Sequence, residues 1–145
     1  GLELEMPGQS LRTDGRIEFW QGKNEINITG PATVAKGEVK MVADTITVLL
    51  ERANNTLQVK KAIAEGNVKL STKTEQITGN KATYTAAIEQ AALTGNVVIS
   101  RDGNSLKGSN AIVNLRTGVS KLINTEGNGR VQGVLRLPDN AKGKF

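Results

Sequence analysis

No cysteine and no histidine occur among the 145 residues of this chain, and only four residues are aromatic: Phe19, Trp20, Tyr84 and Phe145. Each shortage removes a class of function. Without cysteine no disulfide can form. Without histidine there is no Ser-His or Cys-His nucleophile pair, and a zinc or iron site built from the remaining donors is improbable chemistry. Four aromatics are too few for a platform on which bases stack. Prolines are equally sparse: Pro7, Pro31 and Pro138 leave residues 32–137 free to form unbroken hydrogen-bond ladders. No apolar run approaches the ~20 residues of a membrane-spanning helix. No signal-peptide pattern opens the chain, which therefore reads as cytosolic or as a mature form whose leader has been removed.

What is present is ordinary core material in a repeated arrangement. Leu, Ile, Val and Phe make up about a quarter of the residues, too many for a disordered chain, and sixteen glycines accompany them. The length fits one domain. The formal charge of +5 reads as a solvated surface. Its basic residues, among them Lys69, Lys81, Arg101, Lys107, Arg116 and Lys121, fall at scattered positions and form no stripe for nucleic acid. Carboxylates such as Glu65 and Asp102 sit at turns or on polar strand positions without a partner that would suggest acid–base chemistry.

The repetition is explicit. Residues 62–86 read AIAEGNVKLSTKTEQITGNKATYTA and residues 91–115 read AALTGNVVISRDGNSLKGSNAIVNL. Both run apolar-x-Gly-Asn-Val, a polar turn, apolar-x-Gly, then Ala with a hydrophobe two residues on. A weaker copy aligns Gly30 with Gly66 and Gly95, Met41 with Ile77 and Leu106, Ala43 with Gly79 and Gly108, and Val48 with Tyr84 and Val113. Such periods mark a repetitive architecture. Within each copy apolar residues alternate with polar ones, the half-buried strand pattern, and Lys36-Gly37, Asn54-Asn55, Asp102-Gly103-Asn104 and Thr117-Gly118 separate the runs as turns. The alanine-rich ATYTAAIEQAAL at 82–93 has helical composition, but its aligned copy carries Thr117-Gly118 at its middle, so the segment is read as a hairpin. The expectation is an all-β chain of antiparallel hairpins with one apolar face, folded over itself as a sandwich, roll or open barrel, with at most a short helical turn near the N-terminus. Gly66, Gly79, Ala82, Gly95, Gly108 and Ala111 put small residues on the inward face, where they allow twist or leave room for a guest.

These copies closely resemble the repeat of the OstA-like family of periplasmic lipopolysaccharide-transport proteins. The likeness continues through ITGPATVAKGEVKMVADTITV and ends in GRVQGVLRLP, similar to that family's closing strand. The resemblance implies an OstA-like domain over 17–138, a twisted antiparallel β-jellyroll open along one side. Residues 1–16 are then an N-terminal segment whose register the pattern does not set, and 139–145 a polar tail expected to be disordered. It further implies a non-enzymatic function with no cofactor and no metal. The acyl chains of lipopolysaccharide (lipid A) would lie in an apolar groove and be carried across the periplasm, along a bridge between inner- and outer-membrane complexes. The implied partners are an inner-membrane-anchored and an outer-membrane jellyroll protein and, head to tail, further copies of the chain, with no nucleic acid. The chain would be periplasmic, in its mature form. Alternatives are a related jellyroll domain of an anchored or outer-membrane partner in the same system, and a non-catalytic structural or glycan-binding β-repeat protein.

Apolar surface buried against lipid tails gains roughly 25 cal/mol per Å² without directional contacts. Ile28, Ile46, Val48, Val68, Leu70, Ile77, Tyr84, Val97, Ile99, Leu106 and Val113 are the expected lining. An open stack of strands also leaves two unpaired edges that invite another chain. Ile17, Phe19 and Ile26 are expected at the N-terminal edge, and Val131, Leu135 and Leu137 at the C-terminal edge.

Overall fold

The computed structural model describes residues 1–124 and 134–136. Eleven strands form one antiparallel sheet: β1 (Leu2–Met6), β2 (Gln9–Thr13), β3 (Arg16–Trp20), β4 (Glu25–Lys36), β5 (Val39–Ala53), β6 (Thr56–Ser71), β7 (Gln76–Thr85), β8 (Gln90–Arg101), β9 (Asn104–Asn114), β10 (Val119–Ile123) and β11 (Val134–Arg136). Each strand from β4 onward pairs with its successor, so the path runs from β1 to β11 without closing on itself. This is the succession of antiparallel hairpins that the repeats predict, in the open, nearly all-β jellyroll that the family resemblance implies. One detail differs. Besides the 3₁₀ turn at Gln21–Lys23 near the N-terminus there is a second at Ala86–Ile88, inside the segment of helical composition. The hairpin reading of that segment holds, with β7 and β8 paired from Thr85↔Gln90 onward. Local alanine propensity is satisfied by a single turn at the hairpin end.

The repeated Gly-Asn pair has a structural purpose that its position in a strand conceals. Every ladder from β4 to β9 shifts register at the same level: between Thr29 and Ala32, Val42 and Thr45, Glu65 and Val68, Thr78 and Lys81, and Thr94 and Val97. At each shift the even-numbered strand has one residue more than its neighbour, which is a β-bulge. Gly66 and Asn67 have φ of 84° and 49°, and Gly95 and Asn96 repeat this with 82° and 49°. Glycine enters that left-handed region freely, and asparagine tolerates it better than most residues. Gly66 and Gly95 are therefore corner residues rather than ordinary inward positions of a strand. The neighbouring strand supports the corner: Asn67 Nδ2 donates to Asp44 Oδ2 at 3.0 Å.

A row of aligned bulges bends the whole sheet along one line. One half contains β3, the first part of β4, and the facing parts of β5 to β9 with β10. The other contains β1, β2 and the remaining parts of β4 to β9. Residues 1–16, whose register the sequence left open, join this scheme. β2 pairs with Ala32–Ala35 and β3 with Glu25–Thr29, so β2 and β3 are two parts of one strand broken at Asp14-Gly15, opposite the β4 bulge. Thr13 secures that break. Its buried hydroxyl accepts from the Gly15 N–H at 2.9 Å and donates to the Thr29 carbonyl at 2.7 Å. Thr13→Val keeps the shape and removes both bonds, stranding buried backbone groups. Its expected cost is about 2 kcal/mol, read by urea unfolding; a change below about 0.5 kcal/mol would show that the hydroxyl does not hold the corner.

The two halves fold onto one another over a single apolar core. Ile28, Ile46, Ala64 and Leu93 from one half meet Leu11, Leu70, Ile77, Val97 and Ile99 from the other, all at most 2 % exposed. Inward positions run two apart within each half, as the alternation predicts.

Candidate functional site

Opposite the row of bulges the two halves end in turns, and the seam between these turns is open. Residues 36–38, 72–75 and 101–104 form the tips of one half; 85–90 and 114–119 are among those of the other. Behind the seam lies a cavity of about 290 Å³. Val34, Met41 and Leu70 from one half and Val48, Tyr84 and Leu115 from the other form its apolar wall, and Lys36 and Glu89 stand at its mouth. Two more polar hollows continue along the seam. One, bounded by Pro7, Glu51, Leu57 and Ala86, shares Lys36 with the first; the other, bounded by Lys73, Glu75 and Arg116, shares Leu115.

Nine of the eleven residues expected to line a groove are buried on the inward faces; Tyr84 and Leu106 are partly buried against them. Val48, Leu70 and Tyr84 border the open cavity. Ile28, Ile46, Val68, Ile77, Val97, Ile99 and Val113 are packed against the opposing half at no more than 1 % exposure. The cavity also uses Val34, Val39, Met41, Val59, Ala62, Ala91 and Leu115, which the sequence reading did not single out. The available signal was their place: inward-phase residues near turns, where the two halves diverge.

Polar groups close the seam at two points. Lys36 Nζ lies 5.9 Å from the centre of the Tyr84 ring and 3.4 Å from its hydroxyl, a contact between halves 48 residues apart. Further along, Thr72 shapes the β6–β7 turn: its hydroxyl accepts from the Glu75 N–H at 3.2 Å, and its own N–H donates to the Glu75 carbonyl at 2.9 Å. The Glu75 side chain is thereby tucked beneath the turn, where its carboxylate lies 3.8 Å from the Arg101 guanidinium and accepts from the Ser120 hydroxyl. All three residues are buried. Arg101, counted from sequence among scattered surface charges, is instead the cation of an interior ion pair. Glu89 is held at the rim by Arg116, Nε to Oε2 at 3.1 Å.

At the edges, Ile17 and Phe19 on β3 stand opposite Ile28 and Ile26 on β4, the one strand with which β3 pairs among the described residues. Phe19 shares the inward face yet is 49 % exposed. Ile26, in contrast, does not lie at an edge: β4 is flanked on both sides and Ile26 is buried. A second edge free among the described residues is β1, with Leu2, Leu4 and Met6 inward and Glu3 and Glu5 outward. The Glu5 carboxyl is raised above its ordinary range, chiefly by its hydrogen bond with Glu3. Leu135 lies on β11 opposite Leu122, while Val131 and Leu137 lie outside the described residues. Among the described residues no helix is long and apolar enough to cross a membrane, and no cluster of acidic side chains could hold a metal ion.

An open, bent antiparallel sheet with an apolar interior reached along one seam defines the class of open β-jellyrolls. Residues 15–119 match the profile of the family described as LptA/(LptD N-terminal domain) LPS transport protein, and the chain belongs to that family. Its fold is similar to the crystal structure of LptH from Pseudomonas aeruginosa, described as the LptA homologous periplasmic component of the conserved lipopolysaccharide transport device. The TM-score is 0.70 at 15% identity, over 90% of this chain and 95% of that one. No curated protein sequence gives a significant match.

Proposed function

We propose that this protein binds lipopolysaccharide by its acyl chains, between the two halves of the sheet, and carries it across the periplasm as a non-catalytic bridge component between inner- and outer-membrane complexes. The observation that carries the reading is the apolar cavity behind the seam, together with the family match. A lipid chain entering it gains about 0.8 kcal/mol for each methylene taken from water. The cavity is at the small end of the ~300–1,000 Å³ usual for ligand sites. It suits part of one chain, so a lipid with several acyl chains requires the halves to part further. The edges at β1 and β3, free among the described residues, support end-to-end joining with jellyroll partners or a second copy. The paired carboxylates on β1 repel an acidic neighbour, and β3 offers Phe19 beside an unpaired backbone edge.

The test uses a photo-crosslinking residue at Val39 or Leu115, both at the cavity, and at Lys69 on the outer face. Lipopolysaccharide should label the first two several-fold more than the third. Equal labelling of both faces would remove the interior groove.

A further inference from the structure

Two charged side chains border the apolar cavity, and their situations differ. Glu89 is ion-paired with Arg116 at 3.1 Å. Lys36 has no carboxylate within ion-pair distance among the described residues; it stands against the Tyr84 ring and hydroxyl. An ammonium group has three donors, and the 3.4 Å contact with Tyr84 engages one. Lys36 borders the cavity and its ammonium group reaches the Tyr84 hydroxyl, a position that suits a lysine at an apolar–aqueous boundary. Lys36 also borders the adjoining hollow near Pro7 and Leu57, so its charge stands where the apolar interior gives way to water.

We propose that Lys36 is an anion anchor at the mouth of the acyl cavity, assisted by the Tyr84 hydroxyl. The ligand class this defines is an amphiphile with a negative group, a phosphate or a carboxylate, within a few bonds of the head of an apolar chain. The chain occupies the space bounded by Met41, Val48, Leu70 and Leu115, and the anion replaces the weak contact between Lys36 and Tyr84. Because that contact joins the two halves, arrival of the anion also frees the seam to widen. This rests on the acyl-groove reading above and adds to it a head-group preference and the residue that sets it.

Binding of dodecyl phosphate and of neutral dodecyl maltoside, each below its micelle concentration, is measured by calorimetry on the wild type, Lys36→Gln, Lys36→Arg and Lys69→Gln. The wild type should prefer the phosphate by about fivefold, the size of a partly solvated ion pair. Lys36→Gln should lose the preference while still binding the maltoside, and Lys36→Arg should keep it. Lys69→Gln, with the same net charge as Lys36→Gln, should also keep it. Equal wild-type affinity for the two amphiphiles would overturn the anchor and leave the groove intact. Loss of the preference in Lys69→Gln as well would overturn it in favour of a diffuse field. If neither amphiphile binds, the groove reading fails, and the anchor with it.

Discussion

Replacing Arg101 by alanine should lower the stability of the protein by roughly 3–5 kcal/mol, the cost of leaving one member of a buried ion pair uncompensated. For a chain of this size that is a fall of about 10 °C or more in Tm. The carboxylate of Glu75 would remain beneath the β6–β7 turn, almost wholly out of water, with the Ser120 hydroxyl but without its cation. The loss should be largely recovered in the double variant Glu75→Gln with Arg101→Met. The amide oxygen still accepts from Ser120, no charge is buried, and the methionine fills much of the arginine's volume. Calorimetric unfolding of the three proteins decides the matter. A single variant within 1 kcal/mol of the wild type, or a double variant no better than the single, would show that Arg101 does not compensate the buried carboxylate.

Gly15→Ala should be the most damaging of the glycine substitutions. A Cβ there would lie 2.1 Å from the Thr29 carbonyl oxygen and 2.9 Å from its carbon, both backbone atoms of paired β4. Neither atom can swing aside, so the break between β2 and β3 must move, at an expected cost of about 3 kcal/mol. Gly66→Ala presents a different case. Its φ of 84° costs a side chain about 1–2 kcal/mol, but the 2.4 Å clash is with the exposed carboxylate of Asp44, which can turn away. Gly8, also at positive φ, has open space around it and should cost only the conformational term, about 1 kcal/mol. Denaturant midpoints should therefore fall in the order Gly8, Gly66, Gly15, and a Gly15 variant as stable as the Gly8 variant would refute the close approach.

From β4 onward the amino-acid sequence by itself determined the strands, their antiparallel succession and which large apolar residues point inward. Those properties follow from period-two alternation and from turn chemistry, which act over a few residues. Val68 and Leu70, Val97 and Ile99, and Ala111 and Val113 could all be assigned to one face because each pair is two residues apart on one strand. Family membership was legible for the same reason, since the repeat is written in local order. The bend was only half legible. The Gly-Asn pairs were visible, but that those on β6 and β8 fall level with one another, in a row of register shifts running from β4 to β9, is a matter of ladder register. Tertiary structure alone decided what depends on how one half meets the other. Ile77 is packed while Leu115 borders a cavity, because the halves touch near the bulges and diverge toward the turns. Glu75 finds Ser120, and Lys36 finds Tyr84, across sequence separations of 45 and 48 residues, whereas Arg101 faces Glu75 at the end of the β7–β8 ladder. No local periodicity carries such pairings: they are set by the angle at which the sheet folds over itself, and that angle is built from the bulges on β4, β6 and β8.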